Sequence, residues 1–388
     1  MPWHGVSPMD LRLAFVREFR MGAVTMTELC DQFGVSRKTG YVWVGRFEAD
    51  GRAGLYERSR RPHLSPRTTD PAIVEALCDA RRAHPTWSAR KLLAMLVRRY
   101  PAVPWPRRST GCAWLKARGL VRARRRPAHR RAPSAPLGAV THANDVWTTD
   151  FKGEFRVGDG RYCYPFTLRD AFSRYVLRCD ALATKDGQIT RRCFERAFAV
   201  YGLPERIRSD NGGPFAAPGL TRLSHLSAWW IRLGIVPERI ALGHPEQNGS
   251  HEQFHRVLKA ETTRPPAPNL LAQQQRFHRF RAEYNHDRPH EALRDQPPAT
   301  AYARSPRPMP RHLPSVDYAG HLEVRRVSSC GTVSWKAHPL YISTVLAGQD
   351  VAFEEIDDGI WRVSFASIAL ARFDERTRTL TAVAHATR

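Results

Sequence analysis

The sequence predicts a multidomain protein: all-α helix-turn-helix units at the N-terminus, a central α/β domain and a small β-barrel-like domain at the C-terminus. Three observations predict it. The 388 residues exceed one domain of ordinary size. Two arginine- and proline-rich stretches divide the chain. The hydrophobic pattern has helical spacing before the second stretch and alternating strands and helices after it.

The expected domain boundaries follow from these changes of pattern. They are 1–50 for a helix-turn-helix DNA-binding domain, 51–69 for a basic linker, 70–120 for a second, helix-turn-helix-like domain, 121–139 for an Arg/Pro linker, 140–305 for the α/β core with a C-terminal helical extension, and 320–388 for the small β domain.

Composition points to a nucleic-acid partner. The formal net charge is +24 and the pI is about 10.6, and such a charge attracts polyanions. Charge alone leaves open a basic surface with no specific partner, so the motifs must decide. The seven cysteines contain no Cys-x-x-Cys pair, which argues against disulfides and zinc. With no apolar run long enough for a membrane and no secretory signal, we expect a cytoplasmic protein. The excess of Arg over Lys indicates a G+C-rich bacterial genome, in which a DNA-binding protein would be nucleoid-associated.

The segment from Met26 to Phe47 predicts two short helices joined by a turn at Gly34. Ser36 is expected to cap the second helix, which suits a recognition helix in a major groove. The residues expected to face DNA are Ser36, Arg37, Lys38 and Tyr41. An ordinary αα-hairpin is the alternative for this segment taken alone.

Between the two linkers, helical spacing predicts helices through Ile73–Ala80, Ser88–Tyr100 and Thr110–Ala117. The linkers are expected to follow a phosphate backbone. For the second linker, the proposed contacts are Arg124, Arg125 and Arg126.

Three acidic residues mark the α/β domain. Asp150 lies within an apolar strand, VWTTDFKGEF; Asp210 ends a short strand before a sharp turn, IRSDNGGPF; and Glu252 lies early in a helix that follows HPEQNG. Carboxylates without a Cys or His ligand set suit Mg²⁺ or Mn²⁺. Two such ions, about 3.5 to 4 Å apart, can activate the attacking oxygen and stabilise the leaving oxygen of a phosphoryl transfer.

The helix of Glu252 also carries Arg256 and Lys259, four and seven residues further on. This spacing places the carboxylate and both cations on one face, where they can meet a metal ion and a DNA phosphate. After the proline-rich stretch Pro297–Pro314, short strand-like runs predict a small β-barrel.

With these motifs the chain resembles transposases of insertion sequences related to retroviral integrases, and most closely the IS481-like members. The matching stretches are ELCDQFGVSRKTGYVW, SRRP, WTTDFKG, SDNGGPF, HPEQNGSHEQFHR, YNHDRPHEAL and PPATAY. The resemblance implies a ribonuclease-H-like catalytic domain whose catalytic and metal-binding acids are Asp150, Asp210 and Glu252.

One feature departs from the family. A shorter spacing of the second and third acids, common in the family, leads from Asp210 to Glu246, whereas the motif leads to Glu252. We follow the motif and place the extra length in the Pro214–Ser227 loop. Asp170 also matches a family segment, and we expect it to be structural, pairing with Arg174.

The predicted function is therefore a DDE transposase. It is expected to bind the terminal inverted repeats of its element, cleave DNA by metal-assisted hydrolysis and join the 3′ ends to target DNA, as a homodimer or higher oligomer on double-stranded DNA. The alternatives are a catalytically silent DNA-binding regulator and a nuclease of the same fold that does not join strands.

Overall fold

The computed structural model describes residues 7–59, 69–121, 137–241 and 245–383. Its contacts divide the chain into two compact units, residues 1–69 and 70–388. Among the described residues, no helix combines the length and the apolar character needed to cross a membrane.

Within residues 7–59, the first unit is built from three α-helices. Its elements are α1 (Pro8–Met21), α2 (Met26–Gln32), α3 (Arg37–Asp50) and a short 3-10 helix, Gly51–Leu55. Ser36 caps α3 as expected, because its hydroxyl accepts the Thr39 N–H. Gly40 lets α3 approach its neighbours, since a Cβ there would lie 2.8 Å from Phe15 Cζ and Cys30 Sγ.

Two features of this unit differ from the sequence expectation. Helix α1 was not foreseen, although Phe15 and Val16 supply its buried face. The residues assigned to the start of the linker belong to the folded unit, because Leu55 is buried and its carbonyl accepts a hydrogen bond from Arg12 Nη1 at 2.8 Å.

The second unit begins with three helices, α4 (Pro71–Ala83), α5 (Ala89–Arg99) and α6 (Arg108–Ala117), close to the predicted ranges. They enclose their own core around Leu77, Trp87, Leu92 and Leu115.

A mixed sheet flanked by helices on both faces forms the central domain. Its strands are β1 (Val146–Phe151), β2 (Phe155–Arg156), β3 (Tyr162–Asp170), β4 (Val176–Leu182), β5 (Arg206–Ser209) and β6 (Val236–Arg239). Its helices are α7 (Gly187–Tyr201), α8 (His225–Arg232), α9 (Gly249–Thr262) and α10 (Leu270–His286).

The strand order is β2-β3-β1-β5-β6, with β4 also paired to β3. The pairs β1–β3 and β3–β4 are antiparallel, whereas β1–β5 and β5–β6 are parallel. Helices α7 and α8 pack on one face of this sheet, and α9 and α10 on the other. This is the ribonuclease-H-like architecture that the resemblance implied.

The C-terminal part is a small antiparallel β domain. Its strands are β7 (Glu323–Arg326), β8 (Thr332–Trp335), β9 (His338–Tyr341), β10 (Asp350–Asp357), β11 (Ile360–Phe365), β12 (Ile368–Asp374) and β13 (Thr379–Ala382). The expected barrel is wrong in one respect: in the order β13-β12-β11-β10-β7 the outer strands do not pair within the described residues, so the sheet stays open. A separate β8–β9 hairpin covers its core at Trp335, which packs on Phe353 and Phe373.

Candidate active site

Strand register brings Asp150 and Asp210 to the same place. Thr148 of β1 is aligned with Arg208 of the parallel strand β5. Two residues further along both strands lie Asp150 and Asp210. Because side chains alternate between the faces of a sheet, both carboxylates project from the face that α9 covers.

A tight turn after β5 shapes the position of Asp210. The Gly212 N–H donates to Asp210 Oδ1 at 3.2 Å, and a Cβ on Gly212 would lie 3.0 Å from Oδ2. The Asn211 side-chain amide donates to the Ile240 carbonyl at 2.8 Å and so ties the turn to the chain after β6.

Glu252 lies in the first turn of α9 and is exposed, together with Arg256 and Lys259. The opposite side of the helix is buried through Phe254 and Leu258. The predicted division of α9 into a charged face and an apolar face is therefore present.

Two buried histidines fix α9 onto the sheet. Thr167 Oγ lies 2.7 Å from His251 Nε2 and 2.8 Å from His255 Nε2, and it also donates to the Asp150 carbonyl. His251 Nδ1 lies 2.8 Å from Thr148 Oγ, and His255 Nδ1 lies 3.5 Å from Asp150 Oδ2. Burial, followed by the charges of Lys152 and Arg169, lowers the pKa of His255 to about 3. His255 is therefore a neutral neighbour of the Asp150 carboxylate.

The acids interact electrostatically. Burial raises the pKa of Asp150 to about 7, the charges of Asp210 and Glu252 add to the rise, and Lys152 opposes it. Burial also raises the pKa of Asp210, against the Gly212 N–H and the charge of Lys185. A bound cation reduces the electrostatic repulsion between clustered carboxylates of this kind.

The donor set fits a hard divalent cation, because Asp150, Asp210 and Glu252 offer carboxylate oxygens only. Over the described part of the chain, however, no group of three or more His, Cys, Asp or Glu side chains is already arranged around one metal position. Glu252 is exposed in the first turn of α9, and its charge contributes to the raised pKa of Asp150.

The other residues singled out from the sequence lie either at the start of α3 or outside the described residues. Arg37, Lys38 and Tyr41 are exposed along the first turns of α3, where Tyr41 is 53% exposed, and Ser36 is exposed at its cap. Arg124, Arg125 and Arg126 lie outside the described residues, as does the Glu246 side chain.

The expected pairing of Asp170 with Arg174 is wrong. Asp170 is fully buried and accepts hydrogen bonds from the Asn144 N–H at 2.8 Å and from Ser173. Arg174 Nη1 donates to Ser250 instead. A buried carboxylate needs near donors, and backbone N–H groups supply them here; its role is structural, as expected.

Sequence reasoning missed Lys152, Lys185 and the two histidines. Lys152 lies two residues after Asp150 and could have been found from strand alternation. The spacing of His251 and His255 places them on one helix face, but their partners Thr148 and Thr167 become visible only with the strand register.

Comparison with known proteins agrees with this architecture. An integrase core domain model matches residues 140–245 and a second one residues 233–298. A helix-turn-helix domain model matches residues 11–63, and a homeodomain-like domain model matches residues 39–115.

Among curated proteins, the chain is similar to the insertion element IS476 uncharacterized 39.2 kDa protein of Xanthomonas euvesicatoria, with 27% identity over 64% of this chain and 69% of that protein. It is also similar to the insertion element IS407 uncharacterized 31.7 kDa protein of Burkholderia multivorans, with 27% identity over 39% of this chain and 52% of that protein.

Similar solved structures include the HTLV-2 integrase catalytic core domain in complex with magnesium, at 15% identity and a TM-score of 0.30 over 42% of this chain and 98% of that one. Another is the simian T-cell lymphotropic virus intasome in complex with PP2A regulatory subunit B56 gamma, at 14% identity and a TM-score of 0.37 over 76% of this chain and 100% of that one. At these scores the family assignment rests on the domain models and the insertion-element relatives.

An integrase core preceded by helix-turn-helix domains defines the transposase and integrase class of proteins. Together, the domain models and the insertion-element relatives support an insertion-sequence transposase of the integrase superfamily.

Proposed function

We propose that this protein binds the terminal inverted repeats of an insertion sequence, cleaves the DNA by metal-assisted phosphodiester hydrolysis and joins the freed 3′ ends to target DNA. The observation that carries the proposal is the strand register that sets Asp150 beside Asp210 on the sheet face that α9 covers, with Glu252 in the first turn of that helix. A site that concentrates negative charge in this way is suited to divalent cations.

The three carboxylates would hold Mg²⁺ or Mn²⁺, and we propose two ions. When bound, such ions activate the attacking oxygen and stabilise the leaving oxygen of an in-line displacement. The chain's own groups bind and orient the DNA: exposed Arg256 and Lys259 meet phosphates beside the acids, and His255, bonded through Nε2 to Thr167, keeps α9 against the strand of Asp150. No covalent protein nucleophile is needed.

The N-terminal helices supply recognition in this proposal. Arg37, Lys38 and Tyr41 project from the first turns of α3, the part of a recognition helix that contacts base edges in a major groove. Because two ends of one element must be held together, the working form is a homodimer or a higher oligomer on double-stranded DNA.

The test is Mg²⁺-dependent cleavage and joining of labelled DNA that carries the ends flanking this gene. Wild type is compared with Asp150→Asn and Glu252→Gln. The matched control is Glu195→Gln, an acid of α7 on the opposite face of the sheet that pairs with Arg191. We expect wild type and control to cleave and join, and the two site variants to lose both steps.

Other results would assign the alternatives. Cleavage without joining makes the protein a nuclease, and tight end binding with neither reaction makes it a regulator. Glu246→Gln resolves the spacing question, because its activity should persist if Glu252 is the third acid.

A further inference from the structure

A row of side chains next to the acids has no role in the proposed reaction. Across strands β3, β1 and β5, Arg169, Thr148 and Arg208 stand side by side in register. They project from the same face as Asp150 and Asp210 but lie two residues earlier on β1 and β5, about 7 Å away along the strands. The row lines a cavity of about 370 Å³ between the sheet and the start of α9.

The arginines of this cavity have unused hydrogen-bonding capacity. Arg169 is 2% exposed and Arg208 is 8% exposed. Within the described residues, Arg169 Nε and Arg208 Nη2 are buried without a hydrogen-bond partner. A buried guanidinium N–H without an acceptor costs free energy, so such a group indicates a missing acceptor.

Positive charge exceeds negative charge at this place. Arg169 Nη2 donates to Ser250 Oγ at 2.6 Å, and Arg174 Nη1 donates to the same oxygen, which is neutral. The carboxylate that pairs with Arg208 is Glu238, at 2.6 Å, and Glu238 also lies 3.4 Å from Arg206. Three guanidinium groups thus line the cavity; the carboxylates near them are Glu238, which Arg208 shares with Arg206, and the buried Asp170, whose charge acts on Arg169.

The start of α9 adds to the positive electrostatic potential in the cavity. Asn248 and Ser250 line the cavity, and Asn248 occupies the N-cap of the 14-residue helix without making a side-chain cap. The positive end of the helix dipole attracts an anion.

We propose that this cavity is an anion site that binds a phosphate group without a metal ion. The guanidinium groups of Arg169, Arg174 and Arg208 supply charge-assisted donors for the phosphate oxygens. The start of α9 forms the side of the cavity opposite the sheet. The phosphate comes either from a DNA backbone beside the active site or from a free phosphate compound. The site goes beyond the proposed function, because none of the three acids takes part in it.

The first experiment is calorimetric titration of the full chain with inorganic phosphate, in a chelator and at constant ionic strength set with chloride. Arg174→Gln removes one charge at the accessible side of the cavity, and Arg208→Gln removes a second while keeping a donor for Glu238. The matched control is Arg192→Ala, an exposed arginine of α7 on the other face of the sheet.

We expect one phosphate per chain for wild type and control, and binding about three- to tenfold weaker for Arg174→Gln. Equal affinity in Arg174→Gln and Arg192→Ala, or no saturable phosphate binding by wild type, overturns the proposal. If Arg208→Gln does not fold, Arg174→Gln still decides, because Arg174 lies at the surface. Asp150→Asn should bind phosphate normally, so failure of the catalytic proposal leaves this result intact.

The salt dependence of duplex binding then identifies the source of the phosphate. If the cavity takes a DNA phosphate, the slope of log affinity against log salt should fall by about 0.9 in Arg174→Gln relative to the control. An unchanged slope with weakened phosphate binding assigns the cavity to a free phosphate compound.

Discussion

At the scale of single residues, the position of the Asp210 carboxylate depends on the absence of a side chain two residues later. Gly212 donates its N–H to Oδ1, and a Cβ there would come within 3.0 Å of Oδ2. That distance is shorter than an ordinary van der Waals contact, and a carboxylate turns more easily than a backbone, so the carboxylate would move.

We therefore expect Gly212→Ala to keep the fold and to lower the affinity for Mg²⁺ or Mn²⁺ about tenfold, the usual cost of disturbing a group that orients a metal ligand. Metal-dependent thermal stabilisation measures this directly. The matched control is Gly213→Ala, because a Cβ at Gly213 meets nothing within 4 Å. Equal metal affinities in the two variants would remove Gly212 from the site.

Another residue, His290, lies away from the three acids and makes the free energy of unfolding depend on pH. Burial, followed by the charges of Lys91 and Arg288, lowers the pKa of His290 to about 3. Below the ordinary histidine pKa of about 6.5, His290 is protonated in the unfolded chain but stays neutral in the folded chain. Burial of neutral His290 therefore costs nothing above about pH 6.5, and the free energy of unfolding falls as the pH is lowered from there toward 3.

We expect the free energy of unfolding to fall between pH 7 and pH 5, and His290→Gln to reduce that fall by about 1 to 2 kcal/mol. Urea denaturation at each pH provides the measurement. The control is His278→Gln, an exposed histidine of α10. Parallel pH profiles for wild type and His290→Gln would contradict the assignment.

At the scale of elements, α9 carries Glu252 and is held to the sheet by polar contacts as well as by its apolar face. Thr167 Oγ alone meets His251, His255 and the Asp150 carbonyl. These groups are buried, so a loss of the hydroxyl leaves histidine nitrogens without a partner.

Thr167→Val keeps the shape of the side chain and removes the hydroxyl. We expect a loss of about 1 to 3 kcal/mol in the free energy of unfolding, together with slower DNA cleavage, because α9 no longer holds Glu252 in register with the aspartates. The control is Thr190→Val in α7, whose buried hydroxyl donates to the Asp186 carbonyl one turn earlier in the chain. A smaller loss for Thr167→Val than for Thr190→Val would refute this role for the network.

The helices and strands also show which features could be predicted from the sequence and which could not. The helical spacing around Glu252 and the strand pattern around Asp150 are local, so both were placed correctly. The row of Arg169, Thr148 and Arg208 depends on which strands pair and in what register, which no local pattern contains. The open edge of the C-terminal sheet has the same cause, since closure depends on pairing between β7 and β13, the first and last strands. The burial of Leu55 likewise depends on packing against Phe15 and Val16, far away in the chain.

At the scale of the whole molecule, residues 70–388 form one compact unit, and polar contacts join α4–α6 to the central domain within it. Arg90 pairs with Asp295 at 2.8 Å and with Glu291 at 2.5 Å, and His84 lies 2.9 Å from Glu283. These contacts join charges at the edge of the unit, where the free energy of each pair is small and sensitive to salt.

This arrangement predicts that Arg90→Ala loosens α4–α6 without unfolding the central domain. Hydrogen exchange should become several-fold faster at the amides of α5, with the amides of β1 and β3 unchanged, because α5 loses its anchor whereas the sheet keeps its own core.

The control is Arg82→Ala, which removes an arginine whose partners Glu75 and Asp79 lie in the same helix, α4. Raising the salt concentration should bring the exchange of wild-type α5 toward that of Arg90→Ala. If both variants exchange alike at α5, the attachment of these helices lies in their apolar contacts, and Arg90 would have to be treated as an ordinary surface charge.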